Sequence, residues 1–135
     1  MTAAVRIRRE VISRIREEAR KMPEQECCGL LAGSGGIITR ILPARNALES
    51  ATAFEIAPAE LFQLMRQIRG KDLEMLGIYH SHPRGENRPS PRDIESAFYS
   101  DSAYFIVSPL ADAAQPVRAF SIRDGRFTEL QIETL

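Results

Sequence analysis

Two histidines stand one residue apart, His80 and His82, directly after the apolar run MLGIY. On a β-strand, residues two apart point to the same side, so both imidazoles can converge on one ion. Asp93 can add a carboxylate oxygen once the intervening loop, PRGENRPSPR, folds back over the site. Two imidazoles and one carboxylate leave a fourth tetrahedral position open, as in catalytic zinc sites. The spacing therefore predicts a catalytic metal site, with zinc as the inferred ion, although iron or manganese would accept the same ligands.

A second carboxylate is needed to move protons. Bound zinc can lower the pKa of water to about 7 and polarise a carbonyl group. Hydrolysis of an amide also requires a group that takes a proton from water and gives it to the departing amine. Glu26, at the entrance of the apolar run CCGLL, is the candidate, and Glu24 stands two residues away as a competitor.

These residues resemble the motif of a known family. ECCGLLAG, followed by HSHP, six intervening residues and SPRD, resembles the JAMM metalloproteases, the catalytically competent MPN domains. In that family a distant Glu is followed by His-x-His-Pro, a spacer and Ser-x-x-Asp. The resemblance implies that His80, His82 and Asp93 bind zinc. It also implies that Glu26 is the general acid and base and that Ser90 helps to stabilise the oxyanion.

The resemblance also implies a partner. Members of the family cleave peptide or isopeptide bonds after the C-terminal Gly-Gly of ubiquitin-like proteins, and the small bacterial members process or release ubiquitin-like sulfur-carrier proteins. The segment from Asn46 to Ile56 resembles the family segment that lies beside the substrate tail. Dimers are common in the family, so the resemblance admits a homodimer. Cleavage of ubiquitin chains is not expected, because this chain has little room for the second insertion of the eukaryotic enzymes.

The same residues admit other interpretations. A zinc deaminase would need His-x-Glu and Pro-Cys-x-x-Cys signatures, which are missing, and a His-Glu-x-x-His protease is excluded in the same way. A non-catalytic MPN scaffold that binds a partner is the main alternative, but such domains usually lack part of the metal set. Ser90 and Asp93 also have a structural explanation, because Ser-Pro-x-Asp would cap a helix in any protein.

Composition limits the remaining possibilities. A chain of 135 residues, with 44% hydrophobic and 27% charged residues, predicts a single globular domain over residues 1–135. Eighteen basic residues balance eighteen acidic ones, so a nucleic-acid partner is not expected. No apolar stretch is long enough to span a membrane. The adjacent Cys27 and Cys28 do not suggest a disulfide framework and are expected in the core, which favours a cytoplasmic protein.

The periodicity of the chain predicts a mixed β-sheet packed with helices, an α/β class. By resemblance this is an MPN (JAMM) domain, similar to the architecture of the cytidine deaminases. Helices are predicted over Arg9–Met22, over Pro58–Gly70 and from the Ser90 N-cap to about Ser100. Strands are predicted at Val5–Ile7, in a hairpin from Cys28 to Leu42, and at MLGIY, AYFIVS, VRAFSI and RFTELQI, the last two joined at Asp124-Gly125.

Three arginines, Arg84, Arg88 and Arg92, recur every four residues in the loop after the histidines. A glycine and two prolines between them forbid a helix. The main expectation is a solvated loop, and the alternative is that one arginine steers an acidic partner or a carbonyl group.

Overall fold

The computed structural model describes residues 3–110 and 113–135. The predicted strands and helices form in the predicted order. The elements are β1 (Ala4–Ile7), α1 (Arg9–Lys21), β2 (Cys28–Ser34), β3 (Ile37–Ala44), α2 (Pro58–Gly70), β4 (Glu74–Ser81), α3 (Pro91–Glu95), β5 (Ala103–Val107), β6 (Val117–Arg123) and β7 (Arg126–Thr134).

The strands form one mixed sheet, which closes into a barrel in the order β1, β3, β2, β4, β5, β6, β7. β4 pairs in parallel with β5 and antiparallel with β2. β1 closes the barrel, because it pairs in parallel with both β3 and β7. The predicted mixed sheet is confirmed. Its closure depends on pairing between strands from opposite ends of the chain, which local sequence patterns do not encode.

The central strands are buried on both faces, as predicted for MLGIY. On one face, Val11 and Ile15 of α1 pack in a cluster with Tyr79 and Phe105. On the other face, Ile68 of α2 packs in a cluster with further β4 and β5 side chains. Neighbouring strand residues thus alternate between two cores, and the two long helices cover the opposite faces of the sheet that carries the histidines.

The two cysteines are free and buried, as the sequence predicts. No helix in the described ranges, 3–110 and 113–135, is long and apolar enough to cross a membrane.

The third helix is shorter than predicted. α3 ends at Glu95 rather than near Ser100. The chain turns away because the Tyr99 N–H donates to the Tyr104 hydroxyl on β5, at 3.0 Å, and the Ser102 N–H donates to the Tyr99 carbonyl, also at 3.0 Å. A hydrogen bond to a distant strand therefore replaces the next helical turn. The predicted Asp124-Gly125 turn is confirmed, and both residues have positive φ.

Gly29 tests the packing of β2. A Cβ at this position would lie 2.5 Å from the Leu42 carbonyl oxygen and 2.5 Å from Cε1 of Tyr79. We therefore expect Gly29→Ala to lower the free energy of unfolding by about 1–3 kcal/mol, the usual cost of overpacking a core. Gly70→Ala is the matched control, because no atom lies within 4 Å of its added Cβ. Equal urea midpoints for the two variants would contradict this packing.

Candidate metal centre

The four residues of the predicted site come together where β4 ends. Cys28 on β2 lies opposite His80 on β4, which places Glu26 beside the end of β4. One potential ligand atom from each of Glu26, His80, His82 and Asp93 lies within 4.8 Å of the others. Residues far apart in the sequence thus form one compact group able to hold a metal ion.

Three of these ligand atoms form a nearly equilateral triangle. His80 Nε2 lies 3.1 Å from His82 Nε2 and 3.2 Å from Asp93 Oδ2, and His82 Nε2 lies 3.0 Å from Asp93 Oδ2. Tetrahedral ligands at zinc bond lengths of about 2.0–2.1 Å are separated by roughly 3.3 Å. The donor atoms are therefore spaced to share one small ion.

The tautomer of His82 strengthens this fit. Its Nδ1 lies 2.7 Å from the Glu86 carbonyl oxygen. A carbonyl oxygen only accepts hydrogen bonds, so Nδ1 carries a proton, and the neutral form of the ring presents a lone pair at Nε2. That lone pair faces the Asp93 carboxylate. Two acceptors at 3.0 Å require a cation between them, either a proton or a metal ion.

The pKa values of the two imidazoles shift in opposite directions. Burial lowers the pKa of His80, whose side chain is 1% exposed, so this ring stays neutral. Burial also lowers the pKa of His82, but the hydrogen bonds to Asp93 and to the Glu86 carbonyl outweigh it and raise this pKa above its usual value. Burial alone would raise the pKa of Asp93, but hydrogen bonds from both imidazoles hold this pKa well below its usual range. The carboxylate is therefore ionised.

His80 is held by packing rather than by a hydrogen bond at its far nitrogen. The Phe54 ring stacks on the imidazole, with 4.5 Å between centroids and 25° between planes. His80 Nδ1 is buried and has no hydrogen-bond partner among residues 3–110 and 113–135. The orientation of the ring thus depends on Phe54.

Asp93 is oriented by the N-terminus of α3. Its Oδ2 accepts from the Ser90 N–H at 3.0 Å, while the Asp93 N–H donates to Ser90 Oγ at 3.1 Å. The predicted capping interaction is confirmed, and the same carboxylate oxygen faces both imidazoles. Ser90 Oγ uses a lone pair for the cap and keeps its own hydrogen to donate.

Glu26 is a buried carboxyl with one orphaned oxygen. The residue is 3% exposed, and Oε1 has no hydrogen-bond partner in the described part of the chain. Burial raises the pKa of Glu26 to about 8, although the charge of His82 acts in the opposite direction. A carboxyl group with a pKa near neutrality can both accept and return a proton.

Two residues that sequence reasoning missed hold Glu26 in place. Asn46 is 2% exposed, and its Nδ2 donates to the Glu26 carbonyl at 3.0 Å. Ser81 Oγ accepts from the Cys27 N–H at 2.8 Å. Period-two alternation could have indicated that Ser81 points away from the histidines beside it. Nothing in the sequence distinguishes Asn46 from an ordinary loop asparagine, because its partner at the Glu26 carbonyl is distant in the chain.

The fold and the site define an α/β protein with a candidate two-histidine, one-aspartate metal centre. A solved structure reported as "JAMM: A Metalloprotease-like Zinc Site in the Proteasome and Signalosome" has a TM-score of 0.62 and 20% identity to this chain. The match covers 97% of this chain and 99% of that chain. This likeness shows the fold, and the predicted MPN (JAMM) architecture is confirmed.

Sequence comparison identifies the family. The prokaryotic homologs of the JAB domain match residues 8–123, and the chain belongs to this family. A desampylase from Haloferax volcanii is 34% identical over 112 residues, covering 81% of each chain. A CysO-cysteine peptidase from Mycobacterium tuberculosis is 32% identical over 125 residues, covering 91% of this chain and 86% of the relative.

Removal of a ligand tests the metal centre. We expect His82→Ala and Asp93→Ala each to weaken zinc binding by more than about 100-fold, the upper range for loss of an outer-shell partner. Zinc affinity is measured by competition with a chelator of known affinity. Glu95→Gln, an exposed change on the same helix, is the control and should bind zinc as the native chain does. Native affinity in both ligand variants would rule out this site.

Proposed function

We propose that this chain is a zinc-dependent metallopeptidase that hydrolyses a peptide or isopeptide bond after the C-terminal Gly-Gly of a ubiquitin-like or sulfur-carrier protein. The observation that carries the proposal is the triangle of Nε2, Nε2 and Oδ2 atoms with the unpartnered Glu26 carboxyl beside it. Membership of the JAB-domain family supports the reaction class. The names of the two relatives, a desampylase and a CysO-cysteine peptidase, favour a protein adduct as the substrate.

In this proposal His80, His82 and Asp93 hold the zinc ion. When bound, zinc polarises the scissile carbonyl group and makes a water molecule more acidic. The three side chains suit this task because one imidazole is kept neutral by burial, the other presents a lone pair, and the carboxylate is ionised.

Glu26 carries the proton. Its orphaned Oε1 accepts a proton from the attacking water and delivers it to the amide nitrogen as the C–N bond breaks. The hydroxyl of the water stays on the acyl product, and the amine leaves neutral. Burial raises the pKa of Glu26 to about 8, so this carboxyl holds a transferred proton more readily than an exposed glutamate does.

Ser90 supports the developing oxyanion. Its oxygen is occupied by the cap of α3, and its remaining hydrogen is free to donate toward a negative oxygen. Ser90, Glu26 and His82 line the same cavity, of about 190 Å³, so the hydroxyl adjoins the reacting groups.

The acyl side of the substrate fits a second cavity, the apolar groove, of about 180 Å³. Its lining includes Phe54, Ile56, Phe98 and Tyr99. Because Phe54 also stacks on His80, the apolar groove adjoins the metal centre.

The strand-like segment beside the apolar groove has free main-chain groups. Asn46 holds the Ala53 carbonyl at 2.9 Å and the Glu55 N–H at 3.2 Å. Phe54 and Ile56, which alternate with them, make no backbone hydrogen bond within the described ranges. An extended tail could therefore pair with this segment by main-chain hydrogen bonds. Glycine at the cleaved end would let the tail backbone approach the metal closely.

The remaining expectations are part of the same proposal. We propose that residues 1–135 act as a single domain, because the described strands all belong to one barrel. Cytoplasmic location fits the two free, buried thiols, which suit a reducing compartment. The homodimer stays an expectation from the family resemblance, and native mass spectrometry decides it.

Glu26→Gln tests the proton carrier. The substrate is a sulfur-carrier or ubiquitin-like protein extended beyond Gly-Gly, and each enzyme is loaded with zinc. We expect kcat to fall by about 100-fold or more, the usual range for general acid-base catalysis, with zinc binding retained. Glu24→Gln is the matched control because Glu24 is exposed and only two residues away.

Turnover by Glu26→Gln at the native rate would remove Glu26 from the mechanism. Zinc binding by the native chain without turnover of any extended carrier would favour the non-catalytic scaffold instead.

Ser90→Gly separates the oxyanion role from the helix cap. Glycine is tolerated at an N-cap at a cost of only a few tenths of a kcal/mol relative to serine, so the fold should be nearly unaffected. We expect kcat to fall by about 100-fold, as for removal of one oxyanion donor. The measurements are kcat and the urea midpoint of the same preparation. A native kcat would limit Ser90 to capping.

A further inference from the structure

A small cavity next to Glu26 contains a cationic side chain that the proposed mechanism does not use. Glu26, His82 and Ser90 line one part of the cavity, and Thr52 and Arg84 line another. We call this cavity of about 190 Å³ the Arg84 pocket. It is smaller than the roughly 300–1,000 Å³ typical of drug-sized ligand sites, so it suits a short group.

The departing amine must lie near the Arg84 pocket. A proton donor acts within hydrogen-bond reach of its acceptor, so the amide nitrogen has to approach the Glu26 carboxyl. Glu26 lines the Arg84 pocket and is not part of the apolar groove lining. The acyl tail and the leaving group therefore occupy different cavities, and the leaving group extends toward Arg84.

The loop that carries Arg84 is fixed in position. His82 Nδ1 donates to the Glu86 carbonyl at 2.7 Å, and Asn87 Nδ2 donates to the Gln115 carbonyl at 2.6 Å. Arg84 lies between His82 and these anchors. Its backbone is thus tied to the metal centre on one side and to a neighbouring loop on the other.

The guanidinium group of Arg84 has no partner in the described residues and is available to bind a ligand. Arg88 is 3.8 Å from Glu86 and lies over the Phe127 ring, whereas Arg92 lines the apolar groove. Arg84 makes no ion pair or side-chain hydrogen bond with any residue in 3–110 or 113–135. A guanidinium group matches a carboxylate through two parallel hydrogen bonds.

We propose that Arg84 binds the free α-carboxylate of a short leaving group, so that the enzyme preferentially removes a single small amino acid from the end of a Gly-Gly tail. This inference rests on the proposed peptidase function. Water supplies the hydroxyl of the new glycine carboxyl group, the C–N bond breaks, and Glu26 transfers the proton of that water to the amine. A lysine side chain in an isopeptide bond carries no carboxylate at this distance and would be disfavoured.

The test compares two forms of one substrate. A sulfur-carrier protein ending in Gly-Gly-Ala is prepared with a free C-terminal carboxylate and as the primary amide. We expect zinc-loaded native enzyme to favour the free acid in kcat/KM by about tenfold or more, as for a charge-assisted hydrogen bond. Arg84→Met should bring this ratio close to one, because only the free acid has a carboxylate for Arg84 to bind. Arg84→Lys should keep part of the preference, and Arg88→Met should keep all of it.

Binding provides a second measurement. In the Glu26→Gln background, calorimetry should show the same preference for the free acid, and the double variant with Arg84→Met should lose it. An active native enzyme with a ratio near one, or an Arg84→Met variant that retains the native ratio, would overturn the role of Arg84. If native enzyme cleaves neither form, the proposed peptidase function fails. The calorimetric comparison then shows separately whether Arg84 binds the carboxylate.

Discussion

Two imidazole nitrogens and one carboxylate oxygen lie 3.0–3.2 Å apart in a buried site, and such a group needs a proton or a metal ion among its atoms. This constraint organises the rest of the structure. The bond from His82 to the Glu86 carbonyl keeps one lone pair directed inward, and the cap of α3 keeps the Asp93 carboxylate beside it. The barrel supplies the rigid strand end on which His80 is fixed. Ordinary elements of the fold thus hold a geometry that favours a bound metal ion.

The proton carrier and the substrate surface are coupled through one side chain. Asn46 binds the Glu26 carbonyl and also the alternate main-chain groups of the segment beside the apolar groove. The same amide therefore positions the buried carboxyl and leaves Phe54 and Ile56 free to meet an extended tail. In our proposal, the Gly-Gly tail and the leaving group lie in separate cavities, with Glu26 at the second of them.

Sequence reasoning succeeds where the physics is local. Period-two spacing places His80 and His82 on one side of a strand, and Ser90 with Asp93 forms a capping box within one helical turn. Sequence reasoning fails where a residue distant in the chain determines the local structure. The Tyr104 hydroxyl ends α3 early, β1 closes the barrel against β7, and Asn46 joins the Glu26 carbonyl to the loop that follows Asn46. The roles of the site residues rest on the family resemblance and on this geometry, and they stay predictions.

The central claim is that two imidazoles and one carboxylate share one ion. X-ray absorption at the zinc edge of the loaded native protein tests it most directly. The account predicts two histidine nitrogens at about 2.0–2.1 Å, with the remaining ligands oxygens at about 2.0–2.2 Å. A sulfur ligand at about 2.3 Å, which would implicate Cys27 or Cys28, or a spectrum without two imidazole ligands, would contradict it.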